Sequence, residues 1–516
     1  MNRFVSKSMA LTILLVATLA IPGAAQDLKS FEEKTTVHKL ANGWTFIITE
    51  RPVAPVFSFA TMVNVGSAQE VPGITGLAHM FEHMAFKGTQ NIGTRDFAAE
   101  KKALDALEAA YQAYQAARLV PDADPQKVEA LLAAFQAKQK EAAGYVVKGE
   151  FDDVLTREGG VGLNAFTGAD STGYFYSLPS NKVELFAFLE SERFFHPVFR
   201  EFYEERDVVQ EERRLRSESS PVGRLIEQFV AVAFSAHPYQ QPVVGYMSDL
   251  QSITITDAEA FFRTHYAPSN LVTAVVGDVR ARELIPMLEK YFGRIPARPG
   301  PPPLRTVEPP QGAERIVILE DPSQPVYLEA YHKPARTHAD QAVYDAINDI
   351  LSRGRTSRLY RSLVRDKKLA VSIQSFSGFP GDKYPNLWAV LAYPALGVTN
   401  EAVQAALREE IERLKREDVT DEELARFKTR AKASLLRRLG SNQGLALQMA
   451  EHQQLFGDWR ELFRSIERLD KVTKEDIRRV AGAAFQANNR TVAMIVNNKP
   501  AGQQPAATPA APGGGR

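Results

Sequence analysis

His79-Met80-Phe81-Glu82-His83 sets two imidazoles four residues apart with a carboxylate between them. On a helix that spacing projects all three groups from one face. Two histidines one turn apart can chelate a zinc ion, and a glutamate beside them can take a proton from a water the ion polarises. The order H-x-x-E-H reverses the commoner H-E-x-x-H. With nine histidines among 516 residues, such a pairing is uncommon by chance.

A catalytic zinc usually takes three protein ligands and keeps one position open for water. The charged segment 202–215 reads as a helix and offers several carboxylates for the third place. Glu205 and Glu212 lie two turns apart on one face, whereas Glu204 and Glu211 share another. Spacing alone leaves the choice open, and most carboxylates on such a helix are simply solvated.

The reversed motif followed by Glu205-Arg206-Asp207-Val208-Val209-Gln210-Glu211-Glu212 resembles the pitrilysin/insulinase family of zinc peptidases, the inverzincins. Within that family the chain looks like a short bacterial type, similar to the mitochondrial processing peptidase beta subunit. The family's E-R-x-x-V-x-x-E helix implies Glu212 as the third zinc ligand. It implies Glu205 as a carboxylate orienting a ligand histidine, and it turns Glu211 to solvent. Asn164-Ala165-Phe166-Thr167 resembles the family's edge strand, so these four residues are expected to pair with the backbone of a peptide substrate. Glu82 is then the catalytic base, and one Zn2+ per chain is expected. Met80, Phe81 and Phe86 read as packing beneath the motif.

The elements that must position these groups follow from the rest of the chain. Residues 36–50 read as two strands about an Asn42-Gly43 turn, and 57–66 as a third. Thr75 is expected to cap the motif helix. From 96 to 147 an Ala/Glu/Gln/Lys-rich stretch interrupted by Pro121 and Pro125 reads as a long helical hairpin. It looks like an insertion relative to the family, and it could cover the cleft, dock a partner or extend the surface. Residues 296–314 are too proline-rich for a helix or sheet interior and read as a semi-stiff linker.

On either side of that linker the two parts end alike. Thr256-Asp257 opens a helix leading to a β-rich run from Asn270, and Thr473 opens one leading to a similar run from Asn489. This suggests internal duplication. The resemblance implies an α+β fold of two homologous domains, each a mostly antiparallel sheet packed with helices. We place a metal-binding domain at 36–295 and a second, without metal motif, at 315–497.

Lysine plus arginine balance aspartate plus glutamate at 62 each, so no strong field favours nucleic acid. Arg3 and Lys7, an apolar run over 9–20 and small residues to Ala25 describe a signal peptide spanning 1–25, so no membrane anchor is expected after its cleavage. No cysteine is present, so export demands no disulfide. A periplasmic or secreted protein is expected, with a disordered Pro/Ala/Gly-rich tail over 498–516.

The second half departs from the family pattern. Where relatives carry an arginine and a tyrosine that reach the substrate carbonyl, this chain has Val364 and Val371. Arg365 is one residue off, about 100° around a helix. In two-chain relatives a sister subunit carries that Arg/Tyr pair. The expectation is therefore a zinc endopeptidase for short or unfolded peptides, acting as the metal-bearing subunit of a heterodimer with a homologous non-catalytic chain, or otherwise as a homodimer. The alternative is a non-catalytic assembly or binding subunit of the same fold.

Overall fold

The computed structural model describes residues 28–497, so the signal-peptide segment and the tail lie outside it. The first half contains β1 (Thr35–Lys39), β2 (Thr45–Glu50), β3 (Val56–Val63), α1 (Leu77–Met84), α2 (Phe97–Arg118), α3 (Pro125–Ala143), β4 (Val161–Thr167), β5 (Thr172–Pro179), α4 (Val183–Phe195), α5 (Phe202–Arg213), α6 (Pro221–Ala233), α7 (Ile255–His265) and β6 (Leu271–Gly277). The second contains β7 (Arg315–Glu320), β8 (Val326–Lys333), α8 (Gln341–Ser352), β9 (Ala370–Phe379), β10 (Asn386–Pro394), α9 (Asn400–Arg416), α10 (Asp421–Leu439), α11 (Asn442–Phe456), α12 (Lys474–Ala484) and β11 (Arg490–Val496).

Two sheets result, ordered β1-β2-β6-β3-β5-β4 and β7-β11-β8-β10-β9. In each, the last strand of the half inserts beside the first long one and runs parallel to it, β6 along β2 and β11 along β7. The other pairings are antiparallel. The fold is thus α+β, with two halves of one topology. β4 and β9 occupy equivalent edges, and β1 has no counterpart in the second sheet.

The helices entering β6 and β11 match as well. α7 is capped by Thr254 and α12 by Thr473, each exchanging hydrogen bonds with an aspartate three residues on, Asp257 and Asp476. This corrects the expected start at Thr256: the cap lies two residues earlier, where the threonine hydroxyl reaches the Asp257 amide at 3.0 Å.

Each sheet is buried on both faces. Phe46, Ile48, Phe57 and Phe59 of the first sheet pack with Met80, Phe81, Phe186 and Phe202 of its own helices. Its other face, with Ile47, Ala60, Met62 and Val276, is covered by Leu445, Ala446 and Met449 of α11 from the second half. Reciprocally, Leu225, Phe229 and Ala233 of α6 cover Leu328, Ala389 and Ala493 of the second sheet. Burial on both faces explains why β3 and β10 are near-continuous apolar runs rather than alternating ones.

Candidate metal centre

α1 is amphipathic in the way its chemistry needs. Leu77, Met80, Phe81 and Met84 recur at helical spacing and are buried. Burying Met80 and Phe81 stabilises the helix's seat by about 1.5–3 kcal/mol each. His79, Glu82 and His83 consequently turn to the other side.

The helix is not capped by Thr75, contrary to expectation. Its N-cap is Gly76, in a left-handed conformation with φ 93°, where an added Cβ would lie 2.8 Å from the Val244 carbonyl oxygen. The Thr75 hydroxyl instead donates to Asp249 Oδ2 at 2.7 Å and accepts from the Tyr246 amide at 2.9 Å. The free amides of the first turn are met by Glu70, whose oxygens accept from Gly76 N at 2.8 Å and Ala78 N at 2.7 Å. Burial pushes this carboxyl up to about 8 against the pull of the two amides. Glu70 escaped sequence reasoning because a glutamate in a loop six residues before the helix's N-cap carries no spacing signal.

α5 brings Glu212 opposite α1. His83 Nε2 lies 3.4 Å from Glu212 Oε2, and His79 Nε2 lies 3.8 Å from Glu212 Oε1. One ligand atom from each of the three residues falls within 4.8 Å of the others. Tetrahedral zinc with N/O ligands at about 2.0–2.2 Å sets ligand atoms roughly 3.3–3.6 Å apart, and the two spacings from Glu212 to the imidazoles come close to this.

The electronic arrangement also fits. His83 Nδ1 sits 3.2 Å from Glu205 Oε2. A proton held there leaves the Nε2 lone pair aimed at Glu212. The Glu205 hydrogen bond holds the His83 pKa above its ordinary value. Burial lowers His79 to about 4, which keeps it neutral and its lone pair available. Lone pairs and a carboxylate converging in this way suit a cation between them. Glu205 is itself paired with Lys87, which also reaches Glu201 at 3.3 Å. Glu211 is exposed and paired with Arg214.

Glu82 and the three converging residues line one cleft of about 680 Å³. Phe166 and Thr167 form one wall, and Ile226 and Val230 of α6 another. Phe379 and Pro380 reach in from the second half. Among the described residues β4 pairs with β5 alone, which leaves its other edge open there. Thr167 donates to the Ala78 carbonyl at 3.4 Å, tying this strand to α1. Ala165 is buried and Phe166 half-exposed, while Asn164 turns its carbonyl oxygen onto the Ala165 amide at 2.9 Å.

The insulinase (peptidase family M16) model matches residues 45–141, and the model described as the peptidase M16 inactive domain matches 252–431. The chain belongs to the pitrilysin/insulinase family. It is 29% identical to the zinc protease PqqE of Helicobacter pylori over 460 residues, covering 87% of this chain and 89% of that protein. It is 24% identical to the mitochondrial-processing peptidase beta subunit of Saccharomyces cerevisiae over 487 residues, covering 89% and 90%. A solved protease structure from Helicobacter pylori superposes with a TM-score of 0.75 at 26% identity, covering 90% of this chain and 99% of that one.

The part of the chain matched by the family's inactive domain contributes no polar donor from the expected positions. Val371 is 63% exposed on β9, and Val364 packs against the second core. Arg365 is exposed and turned onto Asp366, at 2.6 and 2.9 Å. Among the described residues no helix is long and apolar enough to cross a membrane.

Proposed function

We propose that this member of the family is a zinc-dependent endopeptidase acting on short or unfolded peptides. The observation that carries the reading is the convergence of His79, His83 and Glu212, with Glu82 beside them, at the foot of an open edge strand. In this reading the three residues hold one zinc, which when bound polarises the scissile carbonyl and acidifies a water. Glu205 keeps His83 in the tautomer whose Nε2 is free, and Lys87 holds Glu205 in place. The backbone of Asn164, Ala165, Phe166 and Thr167 receives the peptide as an added strand. Glu82 takes the proton from the attacking water and passes it to the leaving amine. Strand addition at that open edge requires an extended segment, which favours unfolded peptides over folded proteins.

The lack of donors at Val364 and Val371 supports a second element of the reading. A homologous non-catalytic chain carrying the Arg/Tyr pair would close the cleft, making this chain the metal-bearing subunit of a heterodimer. The 1–25 segment supports export to the periplasm or beyond. The test is cleavage of a mixed, unstructured peptide pool by the purified chain, with and without a candidate partner, against Glu82→Gln. Turnover lost in the variant while zinc is retained supports the peptidase. Equal turnover in both removes Glu82 as base, and a zinc-loaded chain inert under every condition favours the non-catalytic binding subunit.

A further inference from the structure

We propose that Arg216 donates to the substrate carbonyl oxygen as it becomes an oxyanion, so that this chain supplies its own cationic donor; this rests on the peptidase reading above. Amide hydrolysis puts negative charge on that oxygen, and a preorganised donor there is worth about a hundredfold or more in kcat. Among the residues lining the cleft with His79, Glu82, His83 and Glu212, Arg216 is the one arginine or lysine. The neighbouring arginines are committed elsewhere. Arg213 is buried on Glu227 and the Gly245 carbonyl, and Arg214 pairs with Glu211 on the surface.

The backbone that carries Arg216 is held firmly. It lies in a π-helical turn, Arg214–Glu218, that follows α5 directly, with the Ser219 amide bonded to the Arg214 carbonyl at 2.7 Å. Gly223 of α6 packs so close that an added Cβ would stand 2.0 Å from the Arg216 carbonyl oxygen. The side chain, by contrast, is 73% exposed and reaches Glu212 Oε1, the oxygen that faces His79. A cation among the three ligands satisfies Glu212 and loosens its hold on the guanidinium. The freed group then has five N–H donors at the wall of the cleft that Glu82 also lines. A partner's Arg/Tyr pair would then add to this first positive charge as it closes the cleft.

Arg216 therefore competes with the metal while assisting the reaction, and its removal has effects of opposite sign. The experiment compares wild type, Arg216→Ala and Arg216→Lys. It measures zinc affinity by chelator competition, calorimetric binding of a phosphinic peptide whose anionic oxygens imitate the oxyanion, and peptide turnover. Arg216→Ala is expected to hold zinc as tightly as wild type or more so. Because the arginine side chain is exposed and must reorient, the variant's kcat and phosphinic-peptide affinity should each fall about tenfold, less than for a preorganised donor, while KM stays within about threefold. The lysine variant should recover part of both. Changes in kcat and phosphinic affinity within about threefold overturn the proposal. So does a wild-type chain that holds zinc but, alone, neither cleaves peptide nor binds the phosphinic peptide, which points to a partner's donor. Failure of the underlying reading looks different: wild type takes up no zinc, or Glu82→Gln cleaves as well as wild type.

Discussion

Glu205 and Glu70 contact α1 near its two ends, outside the residues that line the cleft. Glu205 Oε2 lies 3.2 Å from His83 Nδ1, where it favours a proton on that nitrogen. Glu205→Ala is therefore expected to weaken zinc binding about 10–100-fold, measured by chelator competition, with little change in the melting of the metal-free chain. Glu70 holds the helix by two backbone amides, and its titration has a defined sign. Its carboxyl is raised from 4.5 in the unfolded chain to about 8 in the fold, so the folded state keeps a proton that the unfolded state has released between those values. Its contribution to stability is greatest below pH about 4.5 and declines as pH rises toward about 8. Melting curves of wild type and Glu70→Gln across this range should diverge in the variant's favour as pH rises. Parallel curves would mean that Glu70 titrates normally.

At the scale of elements, the α2–α3 hairpin braces α5, which carries Glu212, from behind. Tyr111 packs tilted and Phe135 edge-on against Tyr203 of α5, with ring centroids 4.2 and 5.2 Å away, and the Tyr203 hydroxyl donates to Glu108 at 2.5 Å. Arg200, just before α5, is clamped by Glu100 of α2 at 2.6 and 2.8 Å, both side chains being fully buried. The hairpin does not line the cleft. Of the roles open to it from sequence, none described this bracing. Glu100→Gln leaves a buried guanidinium without its counter-charge and should destabilise the chain by about 3–5 kcal/mol in urea unfolding. Loss of zinc affinity should follow only where α5 has been released.

For the whole molecule, exchanged helices and a latch at Asp170 are among the contacts that join the halves. α6 and α11 each cover the other half's sheet. The proline-rich linker is pinned, since Glu308 accepts from the amides of Ser235, Ala236 and His237 at 2.8–2.9 Å. Asp170, beyond the edge strand, accepts from the amides of Asp382 and Lys383 at 2.6 and 3.0 Å and from the Tyr239 hydroxyl at 2.6 Å. A Cβ on Gly381 would come 2.6 Å from Asp170 Oδ2, so glycine permits the close approach. The latch presents Phe379 and Pro380 to the cleft. Asp170→Ala should weaken this docking by about 1–3 kcal/mol, read as faster limited proteolysis around 378–383 and a raised KM for peptide. Unchanged proteolysis would show that the exchanged helices alone hold the halves together.

What the sequence by itself determined is local and periodic. A one-turn spacing puts His79 and His83 on one helix face, and a two-turn spacing does the same for Glu205 and Glu212. Alanine-rich runs broken by prolines make a helical hairpin, and a helix leading into a β-rich run near the end of each half announces a duplicated fold, although the first of those helices starts two residues earlier than its spacing suggested. Each depends on the geometry of a single element, which neighbouring residues encode. The tertiary structure decided what depends on distant segments meeting. It put Glu70 under the helix in place of Thr75, set the hairpin behind α5, laid Arg216 against Glu212 and interlocked the two sheets through exchanged helices. Those contacts join residues tens to hundreds of positions apart or turn on side-chain direction, and neither is written in spacing.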